Sequence, residues 1–127
     1  MRRAYRLRKS YHFKRVREAG SKWSHRLLTL SAVANRSGKT RVGFIVGKNL
    51  GGAVVRNRLK RRTREAVRLL YDQIAPGWDL VFLVRPAVAK ASFLELQTAV
   101  TQLLRQASLW RSAEPRRADS PSLGREN

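Results

Sequence analysis

Apolar residues recur along this chain with two different periods, and the period changes mark its elements. In residues 10–19, Phe13 and Val16 lie three apart with Lys14, Arg15 and Arg17 around them. That spacing predicts a short amphipathic helix, with Ser10 as its cap and Gly20 as the residue that ends it. Residues 26–33 alternate instead. Leu28, Leu30 and Ala32 would face one side of a strand, and Leu27, Thr29, Ser31 and Val33 the other. After a turn at Asn35–Gly38, residues 41–47 predict a second strand with Val42, Phe44 and Val46 on one face. These two strands are expected to pair as a hairpin.

Gly51-Gly52 interrupts the pattern, and a helical period takes over from about Val54 to Asp72. Pro76-Gly77 predicts a turn. Trp78–Val84 is nearly continuous in apolar residues, as expected of a central strand buried on both faces. Ser92-Phe-Leu-Glu95 is a capping box that opens a last helix to about Trp110. In it Leu96, Ala99, Val100, Leu103, Leu104 and Ala107 repeat at helical spacing. The fold class is therefore α+β, in the order α-β-β-α-β-α. A single domain spans residues 1–110, with residues 1–9 as a basic arm, and the polar stretch 111–127 is expected to be a disordered tail.

Charge sharpens this picture. The 127 residues carry 28 Lys and Arg against 8 Asp and Glu, a net charge of +20. The excess is confined to one part of the chain: residues 1–68 hold 21 basic and 2 acidic side chains, and residues 69–127 hold 7 and 6. Solubility requires a net charge of only about 2–8 on a small domain, so the balance points to a polyanionic partner. Of the basic residues 21 are Arg, whose guanidinium binds phosphate through two hydrogen bonds and stacks on bases. No apolar run is long enough to cross a bilayer, so no membrane role is expected. With no cysteine, thiol-based zinc sites and nucleophiles are excluded. A soluble, cytoplasmic protein is the expectation.

The segment Ala53–Arg68 concentrates the chemistry. On a helix, Val55, Leu59, Thr63, Ala66 and Leu70 fall within an arc of about 80°. Asn57, Lys60, Arg61, Arg64 and Arg68 lie opposite, within about 100°. Only Glu65 offsets this charge within the segment. Such a face repels itself unless an anion lies against it. It suits phosphates of folded RNA or a DNA groove. A strand rather than a helix precedes it, which favours RNA over the paired helices of a helix-turn-helix DNA reader.

The run Arg41-Val-Gly-Phe-Ile-Val-Gly-Lys48, followed by Gly51 and by Ala53-Val-Val-Arg-Asn-Arg-Leu-Lys-Arg61 with Arg64, resembles the signature of the protein subunit of bacterial ribonuclease P. Arg6-Leu7, the Phe13, Val16 and Gly20 spacing and the Asp79–Val84 strand extend the resemblance over about residues 6–110. It implies a fold like domain 2 of ribosomal protein S5, with a left-handed β-α-β crossover through the basic helix. It also implies that Lys48, Arg56, Asn57, Arg58, Lys60, Arg61 and Arg64 face the catalytic RNA, and Arg68 extends that surface. A cleft between the first helix and the open sheet face would hold the 5′ leader of precursor tRNA, with Phe13, Lys14, Arg17, Thr29 and Ser31 lining it. Three positions depart from the family pattern. Arg17 stands where a second aromatic is frequent, Asn49 where a second Lys is, and Arg62 where a Leu is common. Arg62 is expected to snorkel outward or to bind RNA.

No constellation for catalysis by the protein is visible. His12 and His25 are isolated, and the acids Glu18, Glu65, Asp72, Asp79 and Glu95 are not spaced as a metal cluster. Asp72 and Asp79 flank the Pro76-Gly77 turn, where a solvated role is expected. Trp78 and Trp110 are expected to pack, while Trp23 sits in a basic loop and would either pack or stack on bases. The resemblance implies that ribonuclease P RNA performs the cleavage with Mg2+, while the protein binds the RNA and the leader of precursor tRNA and favours metal binding; no DNA partner is expected. On the residues alone, a ribosomal or other structural RNA-binding protein remains open, as does a small DNA-binding protein.

Overall fold

The structure is a computed structural model and describes residues 5–111. The proposed tail beyond Arg111 and the first four residues of the arm lie outside the described residues. Helix α1 spans Ser10–Ala19, and strands β1 and β2 span Ser21–Ser24 and Leu28–Ala34. Strand β3 is Arg41–Val46, helix α2 Ala53–Arg68, strand β4 Trp78–Val84 and helix α3 Phe93–Gln106. Short 3-10 turns at Lys48–Leu50, Tyr71–Gln73 and Pro86–Lys90 join them.

The four strands form one mixed sheet in the order β1-β2-β4-β3. This corrects the expected hairpin. β2 pairs antiparallel with β1 on one side and with β4 on the other, and β3 lies parallel to β4, joined to it through α2. The most apolar strand, β4, takes the central place and offers both faces for burial. β2 and β3 are neighbours in sequence, but β4 lies between them and pairs with both. Strand β1 replaces the loop expected around Trp23. Its sequence, Ser-Lys-Trp-Ser, is short and mostly exposed, as edge strands are. Trp23 therefore packs at the margin of the core rather than standing in a loop.

One sheet face carries the main core. Leu28, Leu30, Val42, Phe44, Leu80 and Phe82 from the strands meet Leu59, Ala66 and Val67 of α2 and Leu96, Val100, Leu103 and Leu104 of α3. The Ser92 capping box forms as expected: Glu95 N–H donates to Ser92 Oγ at 3.0 Å, and Ser92 N–H to Glu95 Oε1 at 2.7 Å. The other face is covered by α1 and the segment just before it, through a small cluster of Val16, Leu7 and Val81 with Phe13, Val33 and Ile45 beside it.

Two helix-end expectations change. Ser10 lies inside α1, whose cap position is Lys9, with no side-chain cap. Gly20 ends the helix in an extended conformation rather than a left-handed one. It is glycine because a Cβ there would sit 2.5 Å from the Val16 carbonyl oxygen and 2.7 Å from that of Ala32. The absent side chain lets α1 turn directly into the sheet.

Asp79 is the largest departure from expectation. It is fully buried, not solvated. Its Oδ1 accepts from Asn35 Nδ2 at 2.8 Å and Arg41 Nε at 2.9 Å. Its Oδ2 accepts from Arg15 Nη2 at 2.8 Å and Arg41 Nη2 at 2.9 Å. One carboxylate thus ties α1, the β2 end and β3 to β4. Burial alone would raise its pKa, but the hydrogen bonds from Arg41 and Asn35, the Arg41 charge and the Arg15 hydrogen bond together hold it below the usual value.

Candidate nucleic-acid interface

Helix α2 presents two faces, although Val55 of the expected apolar arc is exposed, Leu70 lies past the helix end and Val67 takes part in the buried side instead. Leu59, Thr63, Ala66 and Val67 are buried on the core. Thr63 is satisfied there by donating its hydroxyl to the Leu59 carbonyl at 2.9 Å. On the outer side Asn57, Lys60, Arg61 and Arg64 surround a shallow groove of about 350 Å3. Arg58 is exposed next to it, as is Lys48 in the preceding turn. Arg56 is less free, since its Nε donates to the Gly51 carbonyl at 3.1 Å and braces the helix entry. Arg68 forms a two-point ion pair with Glu65, at 2.8 and 2.6 Å, so much of its charge is neutralised within the helix. That pair lowers the Glu65 pKa, first through the hydrogen bond from Arg68.

Arg62 neither snorkels freely nor faces a ligand. Its guanidinium donates to the Val88 carbonyl at 3.1 Å and the Ala91 carbonyl at 2.8 Å. It anchors the turn before α3, which replaces the apolar contact a Leu would make.

The opposite sheet face holds the second candidate surface. Ser10, Phe13, Lys14, Arg17, Lys22 and Ile45 line a trough of about 440 Å3 beside α1, and Glu18 is the one acid among its walls. Strand register puts Ser24, Thr29, Leu83 and Ile45 in one row across the sheet. The next row, Lys22, Ser31, Val81 and Gly43, runs towards α1. Thr29 is half-buried in the open row, whereas Ser31 is 5% exposed. Neither of the two expected strand hydroxyls lines the trough: Thr29 stands in the open row next to exposed Ser24, and Ser31 is buried. Phe13 is half-buried, and its ring lies directly on Gly43, leaving no room there for a Cβ. It is both a packing residue and part of the trough.

Between the two surfaces lies a third feature that sequence reading did not assign. The segment before α1 runs along the free edge of β3: Arg6 bridges to Val42 in parallel, and Leu7 N–H donates to the Val42 carbonyl at 3.0 Å. Tyr5 stacks on Tyr71 with ring centres 4.7 Å apart. The arm's near end is thus docked, and it brings Arg6 and Arg8 to a cavity shared with Lys60 and Arg64. The signal was the alternation Arg6-Leu7-Arg8, a strand-like period in which one apolar residue is flanked by cations.

Among the described residues, no three His, Cys, Asp or Glu side chains are grouped to hold a metal ion. The two oxygens of Asp79 are taken by cations and an amide, Glu65 by Arg68, and Glu95 by its helix cap, while Glu18 and Asp72 are exposed and belong to no such group. His25 accepts the Leu27 N–H at Nδ1, and His12 lies edge-on to Tyr11. This donor set does not fit a magnesium site of the protein's own.

An α+β scaffold with a basic helix on one side and a mostly cationic trough on the other, its buried acid Asp79 already paired, defines an RNA-binding protein. The ribonuclease P family profile matches residues 1–108. The chain is 55% identical over 114 residues to the ribonuclease P protein component of Roseiflexus castenholzii, covering 89% of this chain and 93% of that one. It is 52% identical over 114 residues to that of Herpetosiphon aurantiacus, covering 90% and 93%. Among solved structures, the RNase P protein of Staphylococcus aureus superposes with a TM-score of 0.75 at 27% identity, over 86% of this chain and all of that one. The Thermotoga maritima RNase P protein gives 0.73 at 26% identity, over 80% and 96%. This chain belongs to the ribonuclease P protein family, as a subunit of the tRNA-processing ribonucleoprotein.

Proposed function

We propose that the protein holds two RNAs at once: the ribonuclease P RNA on the outer face of α2, and the 5′ leader of precursor tRNA in the trough beside α1. The observation that carries this reading is the groove of Asn57, Lys60, Arg61 and Arg64 on α2. Its cations have no carboxylate partner among the described residues, whereas Arg15, Arg26, Arg41 and Arg68 each have one. Phosphates supply the missing charge. On the α1 side Phe13 offers a ring for a base, while Lys14, Arg17 and Lys22 meet the backbone, the usual combination for single strands.

In this reading cleavage belongs to the RNA, and the protein acts by binding; the side chains that converge on its two surfaces are mainly phosphate-binding cations. Magnesium belongs to that RNA; the protein's contribution is to lower the repulsion between leader and catalytic RNA. Among the described residues no helix is long and apolar enough to cross a membrane, and the proposed site of action is the cytoplasm, where the substrate is. Reconstitution tests the reading. Adding the protein to its cognate ribonuclease P RNA is expected to permit cleavage of precursor tRNA at magnesium levels where the RNA alone is inactive. A protein that binds the RNA but never alters the magnesium requirement or leader affinity would refute it.

A further inference from the structure

Arg6 and Arg64 line one cavity of about 260 Å3, with Arg8 and Lys60 beside them and Phe13, Gly43 and Phe44 as its apolar wall. Both guanidinium groups have a buried Nε without a hydrogen-bond partner among the described residues. This is unusual for the molecule. Its other partly buried guanidinium groups are satisfied: Arg41 and Arg15 on Asp79, and Arg62 on two carbonyls. A buried polar group left unpaired is costly, and here two like charges share the cavity. Burial and then the nearby Arg6 charge lower the Arg64 pKa, so the unliganded arrangement is electrostatically uphill. Arg64 Cζ also lies 5.9 Å from the centre of the Phe44 ring, within cation–π range.

We propose that this cavity is a phosphodiester seat, in which Arg6 of the docked arm and Arg64 of α2 close on a single RNA phosphate. The proposal rests on the functional reading above and adds a site to it. Its place in the molecule is informative. Lys60 and Arg64 are shared with the α2 groove, and Phe13 is shared with the α1 trough. The seat is therefore the junction of the two surfaces. Its phosphate comes either from the ribonuclease P RNA or from the leader, and the two sources are separable.

The test is a double-mutant cycle with R6Q, R64Q and R6Q/R64Q. Affinity is measured over a salt series for the cognate ribonuclease P RNA. It is then measured, with the assembled complex, for precursor and mature tRNA. If the two arginines hold one phosphate, each single variant weakens binding by about ten- to a hundredfold. The double variant is then no worse than the weaker single, and the salt slope of log K falls by about 0.7–0.9 once, not twice. Loss against the ribonuclease P RNA assigns the phosphate to it; loss against precursor tRNA alone assigns it to the leader. R6K keeps the charge and is the check on folding. It should retain the slope yet lose affinity, because Lys cannot form the fork. Additive losses with a doubled change of slope, or a neutral R6Q against every RNA, overturn the seat while leaving the wider reading intact. A wild-type protein that binds no ribonuclease P RNA defeats that reading and the seat together.

Discussion

Replacing Asp79 by Asn would remove the charge on which three elements converge. In the folded protein the carboxylate is fully buried and accepts four hydrogen bonds, three of them from guanidinium nitrogens. Breaking a buried ion pair from one side costs about 3–5 kcal/mol, because the remaining charge stays desolvated. Here the arginine side chains keep some contact with water, at 44% exposure for Arg15 and 26% for Arg41. The expected loss is therefore near the lower limit, about 3 kcal/mol. Arg15→Gln removes only the more exposed partner and should cost about 1 kcal/mol. The pH dependence has a definite sign. Since the folded pKa is depressed, the network's contribution is present above the unfolded value of about 3.9. It is lost as pH falls below that value and through the folded pKa. Urea unfolding of the wild type and D79N at pH 7 and at several acidic values measures both effects. In D79N the acid-induced loss attributable to this group should vanish. Equal stability of the two proteins at pH 7 would refute the structural role of the network. Catalysis provides a separate check. At saturating protein, folded D79N complex should cleave precursor tRNA within about tenfold of wild type, ~1.4 kcal/mol of barrier, because Asp79 does no chemistry.

Other outcomes follow from the same geometry. Arg61→Ala with Arg64→Ala should lower the salt slope for the ribonuclease P RNA by about 0.7–0.9 for each phosphate no longer neutralised, read from a binding titration over several salt concentrations. Phe13→Ala should weaken precursor tRNA binding by about ten- to a hundredfold, equivalent to about 1–3 kcal/mol of stacking, while mature tRNA binding barely changes; equal losses would make Phe13 a packing residue only. Gly43→Ala, which displaces that ring, should mimic Phe13→Ala in the same pair of affinities. Arg62→Ala leaves the Val88 and Ala91 carbonyls without this donor and should lower stability by about 1–3 kcal/mol in urea, with an unchanged salt slope for RNA.

What could be read from the sequence depended on how local its cause was. Trp78–Val84 and the Ser92 capping box were legible to the residue, because an apolar run and a four-residue motif carry their own explanation. The amphipathic division of Ala53–Arg68 was legible for the same reason, although the helix ends at Arg68 and a separate 3-10 turn follows. Strand pairing was not. β2 and β3 look like a hairpin until β4, 32 residues beyond Val46, is allowed to compete for both. Asp79 reads as a turn residue because its partners Arg41, Asn35 and Arg15 are 38, 44 and 64 positions away. Arg62 looks like a misplaced cation because the carbonyls it holds belong to a turn 26 and 29 residues later. In the binding surfaces, the α2 face followed from periodicity, whereas the position of Arg6 depends on which strand edge the arm joins.

The unequal covering of the two sheet faces divides the molecule into parts of different strength. The face bearing α2 rests on a core of some twenty buried side chains, while α1 is held by three buried apolar residues and the Asp79 contacts. Backbone amides of α1 should then exchange with solvent through a partial opening that leaves α2 and α3 protected. The side proposed to hold the ribonuclease P RNA is the one that stays shut. The side assigned to a leader that must be admitted and released with every substrate is the one that can loosen without unfolding the rest.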